Sequence, residues 1–82
     1  MDDLEWSQHA RDVAAERGIL EEWALRTVRG PDRSETGDDG LLHCVKAIPE
    51  HGWRFLRVVV NRDVSPNRIV TLFFDRRLGR EQ

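Results

Sequence analysis

The sequence feature that most constrains the fold is a pair of strand-like segments near the C-terminal end. Residues 57–61 and 68–77 are rich in β-branched and aromatic side chains, and Ser65, Pro66 and Asn67 form a turn between them. Because strand side chains alternate between two faces, the even-numbered residues are predicted to form an apolar face that packs on the rest of the protein. These residues are Leu56, Val58, Val60, Val70, Leu72 and Phe74.

The odd-numbered residues of the same segments, with the first strand extended back to Trp53, mix aromatic, cationic, hydroxyl and carboxylate side chains. They are Trp53, Phe55, Arg57, Val59, Ile69, Thr71, Phe73, Asp75 and Arg77. Such a surface suits RNA, whose bases stack on aromatic rings and whose phosphates bind cations. A solvated sheet face on which Arg57, Asp75 and Arg77 form salt bridges has the same composition, so both interpretations stay open.

The chain is predicted to form one domain over residues 1–82. A chain of this length buries only about 60% of its unfolded surface, so its core is thin. The single cysteine, Cys44, excludes an internal disulfide, the usual support of small secreted folds. The N-terminal residues lack the features of a signal peptide, and no apolar run approaches the roughly 18 residues of a membrane span. We therefore expect a cytoplasmic protein that contacts no membrane.

Charge is divided unevenly along the sequence. Residues 1–41 carry five basic and eleven acidic side chains, whereas residues 42–82 carry eight basic and four acidic ones. Of the 13 Lys and Arg residues only Lys46 is a lysine, and the guanidinium fork suits bidentate contacts to phosphate. A GC-rich genome would also explain the high proportion of arginine. The clustering of positive charge in the strand-rich half favours an anionic partner.

Local signals predict two helices before the strands. Ser7 can cap a helix over residues 8–17, Gly18 can end it, and an apolar stripe that includes Trp23 predicts a second helix over residues 20–29. Further strands are predicted near residues 32–35 and over residues 41–48. The sequence therefore predicts an α+β fold in which the helix pair packs on one face of a four-stranded antiparallel sheet.

Two features of these elements bear on a site. Arg17 falls among the apolar residues of the first helix, so we expect a carboxylate or an anion to hold it at the edge of the core. The strand over residues 41–48 has two possible registers. With Lys46 outward, Lys46 joins Arg57 and Arg77 on one face, and His43 turns towards the helices.

Metal and cofactor sites are not predicted. His43 and Cys44 are strand neighbours that point to opposite faces, so they cannot share a zinc ion, and the acidic residues at 38 and 39 are too few for calcium. No phosphate loop or dinucleotide motif is present. Cleavage of RNA without a metal is compatible with the residues present, because Arg57 and Arg77 could stabilise charge on phosphorus. His9, His43 or Asp75 could move protons.

Several motifs, taken together in order and spacing, resemble the bacterial domain-of-unknown-function family 4258. They are His9-Ala10, Arg17-Gly18-Ile19, Gly30-Pro31-Asp32, the acidic glycine turn over residues 36–40, Leu56-Arg57-Val58-Val59-Val60, Arg68-Ile69-Val70-Thr71 and Phe73-Phe74-Asp75-Arg76-Arg77. That family is similar in layout to the RelE and BrnT toxins, small ribonucleases neutralised by an antitoxin. This chain departs from those patterns at Val13, where relatives often carry arginine, and in having no tyrosine.

The resemblance implies a toxin-like ribonuclease of a toxin–antitoxin type, with RNA and an antitoxin protein as partners. It identifies His9 and Arg17 with the helical signature positions and Arg57 with the arginine of the third strand. We therefore expect catalysis by His9, Arg17, Arg57 and Asp75, and RNA contacts by Lys46, Phe55, Phe73 and Arg77. The alternative is a non-catalytic binding module of RelE-like fold that binds a protein partner.

Overall fold

The computed structural model describes residues 4–78, in which two helices pack on one face of a five-stranded mixed sheet. The elements are β1 (Leu4–Trp6), α1 (Gln8–Arg17), α2 (Glu21–Arg29), β2 (Arg33–Thr36), β3 (Leu42–Ile48), a 3₁₀ turn (Pro49–His51), β4 (Arg54–Asn61) and β5 (Asn67–Phe74). The strand order is β1-β5-β4-β3-β2. The predicted α+β fold with a helix pair on the sheet is confirmed, whereas the prediction of four antiparallel strands is wrong.

The additional strand is β1, which pairs in parallel with β5. Ser7 secures this junction, because its backbone N–H donates to the carbonyl of Ile69 over 3.0 Å and its hydroxyl donates to the carbonyl of Val70 over 2.9 Å. Three residues are too few to show the alternation by which a strand is found in a sequence. The pairing also depends on a partner more than 60 residues away.

Helix α1 has the bounds and the caps that the sequence predicts. The Oγ of Ser7 accepts the backbone N–H of Ala10 over 3.0 Å, and Gly18 ends the helix in the left-handed region at φ 67°. Ala10 and Ala14 are buried against the sheet. Small side chains on this face allow the helix backbone to approach β5 closely.

Helix α2 supplies the largest aromatic side chain of the core. Trp23 is 8% exposed, and its ring lies 6.2 Å from that of Phe74 and 5.7 Å from that of His51. Glu22 and Arg26, one helical turn apart, form an ion pair at 3.1 Å. Arg26 also donates two hydrogen bonds to the carboxylate of Glu50. The hydrogen bonds from Arg26 lower the pKa of Glu50 to about 2.

We call the helix side of the sheet the covered face. Leu56, Val58, Val60 and Leu72 are fully buried there, as predicted, and Phe74 packs against them. Val70 does not join them, because a bulge pairs Val60 with Ile69 instead of Val70. The bulge shifts the alternation of β5 by one residue, so Ile69 is the core residue and the prediction for Val70 is wrong.

The opposite side of the sheet is the open face. It carries Phe55, Arg57 and Val59 of β4 and the residues of the neighbouring strands that pair with them. Strand β3 pairs His43 with Val59 and Lys46 with Leu56, so His43 lies on the open face and Lys46 on the covered face. The prediction that Lys46 joins Arg57 is therefore wrong. Lys46 contacts Asp32 at 3.3 Å, at the edge of the covered face.

None of the helices within residues 4–78 has the length and apolarity that crossing a bilayer requires.

Candidate functional site

A connected group of charged and polar side chains crosses the middle of the open face. We call it the Arg57 cluster; it consists of Asp39 in the turn before β3, His43 on β3, Arg57 on β4, and Asp75 and Arg77 directly after β5. Antiparallel pairing of β3, β4 and β5 aligns these positions although they lie far apart in the sequence. The salt-bridge interpretation of Arg57, Asp75 and Arg77 is thus confirmed as geometry.

Arg57 occupies the centre of the cluster, between Val45 on β3 and Phe73 on β5. Its side chain is 11% exposed. Nε donates to Oδ2 of Asp75 over 2.9 Å, and Nη1 donates to Nδ1 of His43 over 3.2 Å. A guanidinium has five N–H donors, so three remain for a ligand after these two contacts. Arg57 is held in place and still able to bind an oxyanion.

Asp75 is the anchor of the two arginines. Its side chain is 3% exposed and accepts hydrogen bonds from the Arg77 backbone and Nε on Oδ1, and from Arg57 Nε and Arg77 Nη2 on Oδ2. These contacts, those of Arg77 foremost, lower the pKa of Asp75 to about 2. A carboxylate of such low pKa stays ionised at neutral pH, so it positions guanidinium groups and does not move protons.

His43 is held in one tautomer by its two neighbours. Arg57 can only donate, so Nδ1 of His43 must accept and the ring proton must lie on Nε2. Nε2 then donates to Asp39, whose carboxylate oxygens lie 3.3 and 3.4 Å away. The backbone N–H of Leu41 and the His43 ring lower the pKa of Asp39. A carboxylate that orients an imidazole is the arrangement that general bases use.

Gly37 makes room for this contact. A Cβ at residue 37 would lie 2.8 Å from Nε2 of His43 and 2.9 Å from Oδ1 of Asp39, closer than side-chain atoms approach one another. The glycine in the acidic turn therefore has a steric reason, whereas the sequence indicated only a turn. Asp39 and Gly37 were not predicted as site residues, because nothing in the local pattern shows which strand residue the turn will contact.

The structure brings together only some of the predicted site residues. Arg57, Asp75 and Arg77 form the cluster, and half-buried Phe55 and Phe73 lie beside it on the open face. Lys46 lies on the covered face. His9, His43 and Asp75 were the candidate proton carriers. Of the two histidines among them, His43 is the one that contacts Arg57.

Residues His9 and Arg17 lie on α1, across the sheet from the cluster. Both are exposed. Arg17 makes no hydrogen bond or ion pair with any residue between 4 and 78, so the expected carboxylate is not found there, and an anion as its partner stays a prediction. It lies in the last turn of α1, directly before Gly18, where the side chain reaches solvent.

The cluster is electrostatically balanced in its neutral-histidine form. Two arginines face two carboxylates, so no net charge accumulates among the five side chains. Within the part of the chain that the structure describes, no three His, Cys, Asp or Glu side chains gather as a metal ion would require. The chemistry open to this arrangement is binding of an oxyanion by Arg57 and proton transfer at Nδ1 of His43.

Comparison with known proteins gives one match. The profile of a family described as "Domain of unknown function (DUF4258)" matches residues 6–74. This range includes both helices and all strands except the first residues of β1. Searches of curated proteins and of solved structures gave no match.

Proposed function

The chain belongs to the DUF4258 family, as its motifs indicated, and we propose that it is a toxin-type ribonuclease that cleaves RNA at the Arg57 cluster. The observation that supports this proposal is the contact between Arg57 and His43. It combines a guanidinium with unused donors and an imidazole nitrogen that can accept a proton, 3.2 Å apart on the open face, with side chains that are 11% and 19% exposed. Both groups are held from behind, by Asp75 and by Asp39.

Phosphate binding would free the histidine for catalysis. Arg57 donates to Nδ1 of His43 in the unliganded chain. When a phosphate oxygen takes that N–H, the lone pair of Nδ1 becomes available, while Asp39 keeps the ring oriented through Nε2. Arg77, whose side chain is 79% exposed, lies next to Arg57 on Asp75 and can bind the same or the adjacent phosphate.

The proposed reaction is attack by the ribose 2′-hydroxyl. Its proton passes to Nδ1 of His43, its oxygen forms a bond to phosphorus, and the bond from phosphorus to the 5′ oxygen breaks. The leaving 5′ oxygen takes a proton from water, and the hydroxide so formed takes the proton back from Nδ1 of His43, which leaves a 2′,3′-cyclic phosphate, a 5′-hydroxyl and neutral His43. Arg57 stabilises the additional negative charge on the phosphate oxygens in the transition state. No metal ion takes part in these steps.

The test is cleavage of RNA by the purified protein at low ionic strength with EDTA present. We expect products that end in a 2′,3′-cyclic phosphate, and no cleavage of an RNA that carries 2′-deoxyribose at the cleavage position. Arg57→Lys and His43→Ala should each lower the rate by 10²-fold or more. Arg11→Ala, a loss of positive charge on α1, is the matched control. Thermal melting of each variant separates lost chemistry from lost folding.

The same variants separate the two histidine assignments. A rate that falls in His9→Ala and is unchanged in His43→Ala would contradict the proposed site and support the assignment from family resemblance. Absence of cleavage at every protein concentration would contradict the ribonuclease itself. If an antitoxin protein normally blocks the open face, expression of this chain without that protein should arrest growth. Expression of Arg57→Lys should not arrest growth.

One observation favours the binding module as a second candidate. Strand β2 is an edge strand, and all four of its residues are exposed. An extended segment of a protein partner could add to this edge through backbone hydrogen bonds. If the wild-type chain cleaves no RNA and forms a stable complex with a protein partner, this candidate is supported. Ser34→Pro should abolish that complex.

A further inference from the structure

Trp53 combines high exposure with an unfavourable backbone conformation. Trp53 is 66% exposed. Its φ is 63°, in the left-handed region that residues other than Gly rarely adopt. Its backbone N–H donates to the carbonyl of Ile48 over 3.0 Å and closes the turn between β3 and β4. Glycine would serve this turn with less strain, so the indole has a reason other than packing.

Two arginines next to Trp53 have no partner among the described residues. Arg54 and Arg76 are exposed and make no hydrogen bond or ion pair within residues 4–78. They differ in this respect from Arg57 and Arg77, whose charges Asp75 compensates. The positive charge that the Arg57 cluster lacks is therefore found beside it.

Trp53, Arg54 and Arg76 line the same cleft, which we call the Trp53 cleft. Phe55, Phe74 and Asp75 line it as well, and its volume is about 470 Å³. The cleft lies where β4 begins and β5 ends, and Asp75 forms part of both its wall and the Arg57 cluster. Its volume lies within the range that small-ligand pockets occupy, roughly 300–1,000 Å³.

We propose that the Trp53 cleft is a nucleotide subsite, in which the Trp53 indole stacks on an unpaired base of RNA and Arg54 and Arg76 bind the adjoining phosphates. This inference rests on the proposed function, because the nucleotide in the cleft is the neighbour of the one whose phosphate Arg57 binds. Stacking on an aromatic ring tolerates any base, and it requires that the base be free of a duplex. The substrate class is therefore single-stranded RNA without strong sequence preference at this position.

The experiment measures binding of a short single-stranded RNA by fluorescence anisotropy, at low salt and with 2′-deoxyribose at the cleavage position. A series of RNAs lacks one base at each position in turn. In the wild-type protein, one abasic position should weaken binding about ten-fold. In Trp53→Ala the intact RNA should bind about ten-fold more weakly, and the abasic position should cost nothing further. Trp53→Phe should restore much of the loss.

Two further variants complete the design. Arg54→Ala and Arg76→Ala should each reduce the slope of log affinity against log salt by about 0.7, the value for one phosphate contact on a single strand. Leu20→Ala is the matched control for Trp53→Ala, since Leu20 is another large exposed apolar residue and lies on the helix layer. Its affinity for every RNA in the series should equal that of the wild type.

The outcomes separate this inference from the proposed function. If the wild type binds RNA and Arg57→Lys weakens binding while Trp53→Ala has no effect, the subsite is refuted and the proposed function stands. If Trp53→Ala weakens the intact and the abasic RNA equally, and the abasic cost remains, the indole does not stack and the subsite is again refuted. If no RNA binds to the wild type at low salt, both proposals fall.

Discussion

Arg57 and Asp75 form a nearly buried ion pair on the open face, with Nε of Arg57 2.9 Å from Oδ2 of Asp75 and side chains that are 11% and 3% exposed. Arg77 contributes a second cation to the same carboxylate from the solvent side. The carboxylate of Asp75 thus has two cationic partners. Arg57 is fixed by strand β4, and Arg77 belongs to the segment that follows β5. Its energetic consequence depends on pH through Asp75.

The pKa of Asp75 predicts a loss of stability in acid. Its value in the folded chain, about 2, lies below the ordinary value of 3.8, so the carboxylate stabilises the fold above about pH 4. This contribution, about 2 kcal/mol, is lost as the pH falls through 2. Urea unfolding between pH 2 and pH 7 should show it. Asp75→Asn should lower the free energy of unfolding by about 3 kcal/mol at pH 7 and remove the part of the acid dependence that Asp75 contributes, while the part due to Glu50 and Asp39, whose pKa values are also lowered, remains.

Exposed carboxylates provide the control for that measurement. Glu35→Gln removes a carboxylate on β2 and should change the free energy of unfolding by less than about 0.5 kcal/mol at pH 7. An acid dependence that is equal in wild type and Asp75→Asn would show that other carboxylates carry it.

Gly37→Ala should lower activity more than stability. The added methyl group would lie 2.8 Å from Nε2 of His43, so the ring or the Asp39 carboxylate must move. Both are side-chain ends, His43 on β3 and Asp39 in the turn before it, so we expect less than about 1 kcal/mol of destabilisation. A loss of about ten-fold in kcat, with KM unchanged, is expected because the imidazole alone is misplaced.

Gly30→Ala is the matched control for Gly37→Ala. The nearest atom to a Cβ at residue 30 is the carbonyl oxygen of Arg26 at 4.0 Å, and the φ of Gly30, −145°, lies outside the left-handed region. Its activity should equal that of the wild type. Equal kcat in Gly37→Ala and Gly30→Ala would mean that the contact of His43 with Asp39 has no part in the reaction.

Trp53→Gly should stabilise the fold while it weakens RNA binding. A left-handed conformation costs a residue with a side chain roughly 1–2 kcal/mol, and Gly adopts it without this cost. After the flexibility of Gly in the unfolded chain is subtracted, we expect a gain of about 0.5–1 kcal/mol. Chemical unfolding measures it, and Trp53→Ala, which keeps the strain and removes the ring, should show no gain.

Ser7→Ala should destabilise the fold by about 2 kcal/mol. The hydroxyl accepts from Ala10 N–H and donates to Val70 C=O, so one side chain caps α1 and fastens it to β5. The matched control is Ser34→Ala on the exposed edge strand, which should change the stability by less than about 0.5 kcal/mol. Equal melting temperatures for the two variants would contradict the double role of Ser7.

Elements whose signals are local could be predicted from the sequence. Helix α1 was predicted with both of its ends, because its cap, its apolar stripe and its C-terminal glycine all lie within twelve residues. The face of β4 that packs on the helices was also correct, since its alternation is unbroken from Leu56 to Val60.

Features that depend on a distant partner could not be predicted. Strand β1 exists because β5 offers it an edge, and the bulge in β5 exists because Val60 pairs with Ile69. The orientation of His43 follows from the register of β3 on β4, and β3 has apolar residues on both faces, so the sequence left two registers open. The candidate site inherited this ambiguity: Arg57 was found, and its neighbours His43 and Asp39 were not assigned together.

The parallel pairing of β1 with β5 also determines when the protein can fold during its synthesis. Strand β1 and helix α1 leave the ribosome before β5, and both pack against β5, which begins at Asn67. Trp6 and the buried face of α1 therefore remain without their main partner until residues 67–74 have emerged. The packing of β1 and α1 is therefore completed only once the last strand of this sheet has been made, and a nascent chain arrested before Asn67 should be digested by protease throughout helix α1.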